Sequence, residues 1–393
     1  MSIVLRLAAR GDGVTEDGRH VALTAPGDEV AIDAEITPGP HHVTPPCRHF
    51  PRCGGCQLQH IDDESYAVFI AERVTGALGA QKIPAPELRP AHLSPPRTRR
   101  KASLRAERIG NRVVIGFSEA ASHRIVDMQE CHVLRPELFA LVAPLRTMLL
   151  PLLKRGRPVE VGMAIADQGA DLLLSGVSPE GLEASEAISA FAQGHGLARL
   201  SIDDGYGAQA WWEPAPVTVT LGGRNVALPP GAFLQATQDG EAALVAAVGE
   251  AVEEAENVLD LFAGLGTFAL PLASRAKVHA AEGARDAALA LKVAGGERVT
   301  VEHRDLFRRP LDAKELARFD AVVLDPPRAG AKEQAPALAA AGPGRIVYVS
   351  CNPATFARDA RTLIDGGYAL QWVKPVGQFR WSIHVELVAL FTR

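Results

Sequence analysis

Hydrophobic and polar positions fall into three regimes along the chain. Over residues 2–37, the short apolar runs Ile3 to Leu7, His20 to Leu23 and Glu29 to Ile36 alternate with the turn clusters Gly11-Asp12-Gly13, Asp17-Gly18 and Pro26-Gly27-Asp28. Runs this short, punctuated this regularly, predict a small antiparallel barrel or meander. Pro38-Gly39-Pro40 and Pro45-Pro46 then break the pattern, because proline lacks the N–H a ladder needs, and predict a linker over 38–46. From Cys47 to about Pro230 helical and strand patterns mix, an α+β signature. From Asn257 they alternate: strands over 258–262, 277–281, 299–303, 319–324 and 345–350, with helices over 267–273, 284–293, 333–340 and 355–364, then two strands, 368–373 and 384–391, with no helix between. This alternation predicts a doubly wound, Rossmann-like parallel sheet.

Composition changes this picture little. The chain has 393 residues, 47% hydrophobic and 22% charged, as in ordinary globular proteins, and its length suits two or three domains. No apolar run reaches the 18 or so residues of a membrane span and no signal peptide is evident, so a cytoplasmic location, without membrane association, is expected. Monomer is the default. With 41 Lys and Arg against 46 Asp and Glu, the net charge of −5 excludes a uniformly basic coat but not a local basic groove.

The segment Asp260-Leu-Phe262-Ala-Gly264-Leu-Gly266-Thr267 closes one strand and opens a helix, where glycines let backbone approach a ligand. Glu282 ends the next strand, the position from which an acid takes ribose hydroxyls. The third glycine of a dinucleotide fingerprint is missing, which favours S-adenosyl-L-methionine over NAD. Asp325-Pro326-Pro327-Arg328 ends a further strand and predicts a rigid shelf at the ligand edge.

One strand further on, Ser350-Cys351-Asn352-Pro353 offers a thiol over the same edge. A methyl donor beside a nucleophilic cysteine suits uracil. Its C5 is a poor nucleophile until a thiolate adds at C6, after which C5 can take a methyl group and a base must remove H5. Glu386, in Ile383-His384-Val385-Glu386, is the candidate base; a carboxylate facing water is its bland alternative. Because an ordinary thiol has a pKa of about 8.5, the site is expected to lower that of Cys351.

The remaining cysteines, Cys47, Cys53, Cys56 and Cys131, lie in Cys47-x5-Cys53-Gly54-Gly55-Cys56 and Asp127-Met-Gln-Glu-Cys131-His132. Four thiolates serve zinc or iron–sulfur; the three-plus-one grouping leans to a [4Fe-4S] cluster, structural or RNA-recognising. Between these segments, residues 89–112 carry Arg89, Arg97, Arg99, Arg100, Lys101, Arg105, Arg108 and Arg112 against the single acid Glu107. Such a stripe predicts a phosphate-contacting surface, a solvated strand face being the alternative. Glu241, Glu250, Glu253, Glu254 and Glu256 make one helical stretch acidic and balance the total.

Taken in order, these motifs resemble the RNA uridine C5-methyltransferases, over nearly the whole chain. Residues 1–40 resemble a TRAM domain, an OB-like RNA-binding barrel. Residues 41–230, with Gly116-Phe117, His123, Asp127 and Cys131, resemble the family's iron–sulfur and central α+β region, and residues 231–393 its S-adenosylmethionine-dependent catalytic domain. The resemblance implies Cys351 as nucleophile, Glu386 as base, a [4Fe-4S] cluster on the four other cysteines, and cofactor contacts from Gln235, Phe262, Gly264, Gly266, Thr267, Glu282 and Asp325. Many members carry Asn where this chain has Thr237 and Thr267. RNA is the implied partner, 23S ribosomal RNA preferred over transfer RNA; a non-catalytic RNA-binding metalloprotein is the reading from another class. Cytidine C5 methylation fits less well, lacking a cysteine in Asp325-Pro-Pro-Arg328, and amino-group methylation would favour an aromatic where Arg328 stands.

Overall fold

The structure is a computed structural model that describes residues 1–120 and 122–393. At the N-terminus, Ser2–Leu7 pairs with Gly13–Thr15 on one side and Glu29–Val30 on the other. His20–Val21 and Ile36–Thr37 complete a five-stranded antiparallel sheet. Asp28 ties it to the linker, accepting from the N–H groups of Ala25 and Gly39 and pairing with His42 at 2.8 Å.

The middle of the chain forms a six-stranded sheet in the order Gln209–Trp212, Arg199–Asp203, Gly169–Ser175, Val159–Ala166, Lys101–Ile109, Arg112–Gly116. Its one parallel pair, Gly169–Ser175 with Arg199–Asp203, is joined through the helix Gly181–Gly194, as a parallel crossover requires. Arg199 donates twice to Asp171, at 2.9 and 2.8 Å, so this buried pair satisfies itself across the two strands.

The third sheet has nine strands. Five run parallel, in the order Val299–His303, Lys277–Glu282, Asn257–Leu261, Ala321–Leu324, Arg345–Ser350; Glu386–Thr392 and Ala369–Gly377 extend it antiparallel. This agrees with the doubly wound sheet and terminal strand pair expected from the sequence. Ala321 to Leu324 and Ile346 to Ser350 are buried at every position, as strands covered by helices on both faces must be. The expected helix over 267–273 shrinks to Ala269–Leu272, because the glycine turn extends through Thr267 and Pro271 lacks the N–H that a longer helix would use. The sheet also recruits chain from far upstream: Glu87–Leu88 and His92–Leu93 pair with Ala369–Gly377. The helix Asp63–Ala80 buries Tyr66, Phe69, Ile70 and Val74 in the core that contains Tyr348, Phe356 and Leu387. No helix among the described residues is long and apolar enough to cross a membrane.

Candidate active site

Adjacent strands of the nine-stranded sheet end in the residues singled out above. Glu282 ends its strand, while Phe262, Asp325 and Cys351 each come directly after the last residue of theirs. Glu386 opens the antiparallel strand whose Leu387 is registered against Ser350, so the register sets Glu386 beside Cys351. Glu386 is only 4% exposed, which removes the reading of a carboxylate facing water.

The loop after Asp325 is held from behind. Arg328 O accepts from Asn352 Nδ2 at 3.0 Å and Thr355 Oγ1 at 3.1 Å, and Ala329 O accepts from Arg358 at 3.0 Å. Asp359 accepts from Ala331 N and Tyr348 Oη, both at 2.7 Å. Asn352, Thr355, Arg358 and Asp359 belong to, or cap, the helix Pro353–Asp365, so the shelf and the thiol ride on one rigid unit. Arg358 and Asp359 lie in none of the motifs read from the sequence.

At the glycine turn, Gly266 has φ +97°, and a Cβ there would lie 2.4 Å from Leu291 Cδ1; close packing demands glycine. Gly264, at φ +55°, would meet nothing within 4 Å, so the space above it is open to a ligand. Phe262 also has a left-handed φ of +62°, a strained conformation for an aromatic, and its ring lies 5.6 Å from that of Phe307. Glu282 accepts from Gly264 N at 2.8 Å and Ala284 N at 2.6 Å, which leaves each carboxylate oxygen a further lone pair. Thr267 is half-buried in the same turn. Thr237 points elsewhere: it caps the helix Gln238–Ala251, accepting from Gly240 N, and bonds Ser94 Oγ at 2.8 Å. A threonine performs that capping much as an asparagine does.

Acidic groups are concentrated in this pocket. Asp260 is fully buried; burial, then the nearness of Asp325, push its pKa well above the usual range, with the backbone N–H of Ala269 opposing. Burial raises Asp325 to about 7. Burial, with added repulsion from Asp325, raises Glu386 to about 8. Acids this close disfavour one another's ionisation, and a cationic ligand would relieve all three. Cys351 contradicts the expectation of a lowered pKa: burial, then Glu386 and Asp325, raise it to about 11, with Arg328 opposing. The helix start after Asn352 favours a thiolate but does not outweigh burial beside two acids.

The other four cysteines line a single cavity with His49, Phe117 and Glu130 among its walls. Gly54 and Gly55 are there because a Cβ at either would strike Ser118 O at 2.6 Å or the Phe117 ring at 2.9 Å. Cys56 and Cys131 pack with Val133 and Trp381, and Trp381 O accepts from Gln57 N at 2.8 Å and Leu58 N at 2.9 Å. Trp381 lies in the connection that leads to Glu386, so the thiol cavity and the carboxyl pocket share a wall. Burial pushes Cys56 up to about 12 and also raises Cys47, Cys53 and Cys131. Among the described residues, the only His, Cys, Asp or Glu trio with ligand atoms all within 4.8 Å is His41, Asp62 and Glu64. No three cysteine sulfurs among them are that close, whereas a single tetrahedral zinc, with Zn–S of about 2.3 Å, requires sulfurs about 3.8 Å apart.

The basic stripe over 89–112 is not one surface. Arg100 is buried against Glu241 at 2.5 Å, which removes Glu241 from the acidic face as well. Lys101 donates to the carbonyls of Gly231 and Ala232. Arg89 stacks 3.7 Å from the Trp372 ring centroid and pairs with Glu250. The Arg99 guanidinium sits 5.6 Å and 5.4 Å from the Phe117 and Phe379 rings, where burial lowers its pKa and Cys56 and Cys131 oppose that shift. Partners from distant parts of the chain, Glu241, Glu250, Phe117 and Phe379, draw these side chains in different directions. Only Arg97 and Arg112 of the eight are exposed; the others are half-buried or buried.

Residues 225–393 match the family model of tRNA (Uracil-5-)-methyltransferase. The chain is 54% identical to an uncharacterized RNA methyltransferase of Zymomonas mobilis, covering 100% of both. It is 34% identical to a 23S rRNA (uracil(1939)-C(5))-methyltransferase of Pectobacterium atrosepticum, covering 97% of this chain and 91% of that one. Its fold is similar to the crystal structure of a Pyrococcus abyssi tRNA (uracil-54, C5)-methyltransferase in complex with S-adenosyl-L-homocysteine, with TM-score 0.77, 23% identity and 100% of both chains covered. By whole-length identity and by the match of residues 225–393, this chain belongs to the RNA uracil-C5 methyltransferase family.

Proposed function

We propose that this enzyme methylates C5 of a uridine in 23S ribosomal RNA, with Cys351 as nucleophile and Glu386 as base. The observation that carries the mechanism is the register that sets Cys351 beside a buried Glu386 at the end of adjacent strands. S-adenosyl-L-methionine fits the open space above Gly264, and its positive charge would favour ionisation of the raised acids Asp325 and Glu386. Bound there, it supplies an electrophilic methyl group. Phe262, Glu282 and Gln235 are assigned to hold it.

The base must leave its stack to reach this buried edge. Cys351 Sγ passes its proton to the Asp325 carboxylate, which leaves Glu386 ionised for the later step, and bonds to C6 of the uracil. C5 then takes the methyl group as its bond to sulfur breaks. Glu386 removes H5, the Sγ–C6 bond breaks, and the cysteine is released.

For the four-cysteine cavity we assign a [4Fe-4S] cluster on Cys47, Cys53, Cys56 and Cys131. The three-plus-one grouping of thiols around one cavity supports this assignment, and the Arg99 guanidinium offsets the cluster's negative charge. Domain roles divide accordingly: residues 1–40 and 41–230 engage RNA and residues 231–393 carry the chemistry. The preference for 23S rRNA rests on the Pectobacterium relative. Nucleoside mass spectrometry of ribosomal and transfer RNA from cells with and without the gene tests it. Loss of 5-methyluridine from 23S rRNA is expected; loss confined to transfer RNA would redirect the target, and no loss would favour a non-catalytic RNA-binding metalloprotein.

A further inference from the structure

Gln378 lies just beyond the strand Ala369–Gly377, is 1% exposed, and belongs to none of the motifs above. Its Oε1 accepts from Ala236 N at 2.9 Å, and its Nε2 donates to Gln235 Oε1 at 2.7 Å. Gln235, equally buried, in turn donates from Nε2 to Asp325 Oδ2 at 3.3 Å. The same Gln378 side chain lies near enough to Glu386 to oppose the effect of burial on that carboxyl.

The direction of this chain is fixed by chemistry. An amide can be turned end for end, and only its partners decide which end is oxygen. A backbone N–H can only donate, so Ala236 holds the oxygen of Gln378 and turns its NH2 towards Gln235. That NH2 claims the Gln235 oxygen, which leaves the Gln235 NH2 facing Asp325. One backbone donor thereby sets the polarity of two buried amides and makes Asp325 the acceptor. Gly240 closes the site from the helix side: a Cβ there would sit 2.7 Å from Gln378 Cβ, so the side chain has no room to swing away.

We propose that Gln378 is a positioning residue for methyl transfer, locking Gln235 in the orientation that donates to Asp325 and joining the cofactor side of the pocket to the Glu386 side. This rests on the uridine C5 reading above for its kinetic consequences, but the amide relay itself does not depend on which substrate is methylated. Groups facing Glu386 are Asp325 from the neighbouring strand end, Arg328 from the loop after it, and Cys351. Freed from Gln378, Gln235 can present either end to Asp325, and the carboxyl pair loses its fixed donor.

The test uses Gln378→Met, which keeps length and volume but neither donates nor accepts through an amide, in the full-length holoenzyme. With an unchanged melting temperature, it is expected to lose about tenfold in kcat and a similar factor in S-adenosyl-L-homocysteine affinity, with the acid limb of the rate profile moved to higher pH. Because the two amides act as one relay, the double variant with Gln235→Met should be no worse than Gln235→Met alone. Wild-type kinetics and affinity in Gln378→Met, or losses that add in the double variant, would overturn the proposal. Should the wild-type enzyme form no 5-methyluridine, the uridine reading fails, and the double-variant cycle on S-adenosyl-L-homocysteine affinity still decides the relay.

Discussion

Cys351 and the four-cysteine cavity set the same side chain in different surroundings, and we assign them different uses. All five thiols are raised by burial. They differ in the company they keep. Cys351 stands alone between a strand and a helix start, with two buried acids beside it and one arginine opposing them. Cys47, Cys53, Cys56 and Cys131 hang on irregular chain around one cavity, and the Arg99 cation lies against it. A nucleophile needs a neighbour that can take its proton and return it, so buried carboxyls of raised pKa suit it. A ligand thiol must lose its proton for good, which requires standing positive charge; without it Cys56 would stay protonated at about 12. The surroundings, rather than the thiol's own pKa, separate the two roles.

That comparison can be broken most directly at Cys351. Cys351→Ala should lower methylation by about a thousandfold or more while S-adenosyl-L-homocysteine binding, measured by calorimetry, stays near wild type; appreciable turnover would rule out Cys351 as the nucleophile. Glu386→Gln should cut turnover by roughly a hundredfold or more and, unlike the cysteine variant, accumulate a covalent protein–RNA species visible on a denaturing gel. On the other side, Cys56→Ser should eliminate iron and acid-labile sulfide from anaerobically purified protein and lower the melting temperature, with one equivalent of zinc and no iron in the wild type as the contrary result.

Smaller effects probe the wall the two regions share. Trp381→Ala removes a side chain packed on Cys56 and Cys131, in the connection leading to Glu386. A loss of several-fold in kcat together with faster iron release is expected, and iron release alone would show the regions to be independent. The mildest test is pH. Asp325 and Glu386 are raised from 3.8 to about 7 and from 4.5 to about 8, so between those limits the folded chain binds more protons than the unfolded one. Stability of the cofactor-free protein should therefore be fullest below about pH 4 as far as these two groups are concerned, and fall as pH rises towards 8. Turnover, which needs Glu386 ionised, should climb over the upper part of that window. Denaturant melts and rate profiles read the two trends separately, and a parallel rise would remove the paired-acid account.

The strand ends were legible because the chemistry there is local: a glycine turn, an acid ending a strand and a Pro-started helix each announce themselves within a few residues. Gln378 was not, since its importance lies in touching Ala236 and Gln235, which stand 142 and 143 positions away, and a lone glutamine carries no local signature. The basic stripe failed for a related reason. Adjacency in sequence made Arg99, Arg100 and Lys101 one charge run, and their separate partners Phe117, Glu241 and Gly231, brought in from distant parts of the chain, divided it.

The sequence by itself determined the alternation of strands and helices, the turn glycines and the inventory of five thiols, because propensity, hydrophobic period and steric demand act over short stretches of chain. Only the tertiary structure decided which charges are paired, which acids are buried together, and that Cys351 is held as a thiol rather than a ready thiolate. Solvent exclusion and through-space charge depend on what the whole fold brings into contact, and at an edge assembled from strands scattered over residues 87–392 no local pattern encodes them.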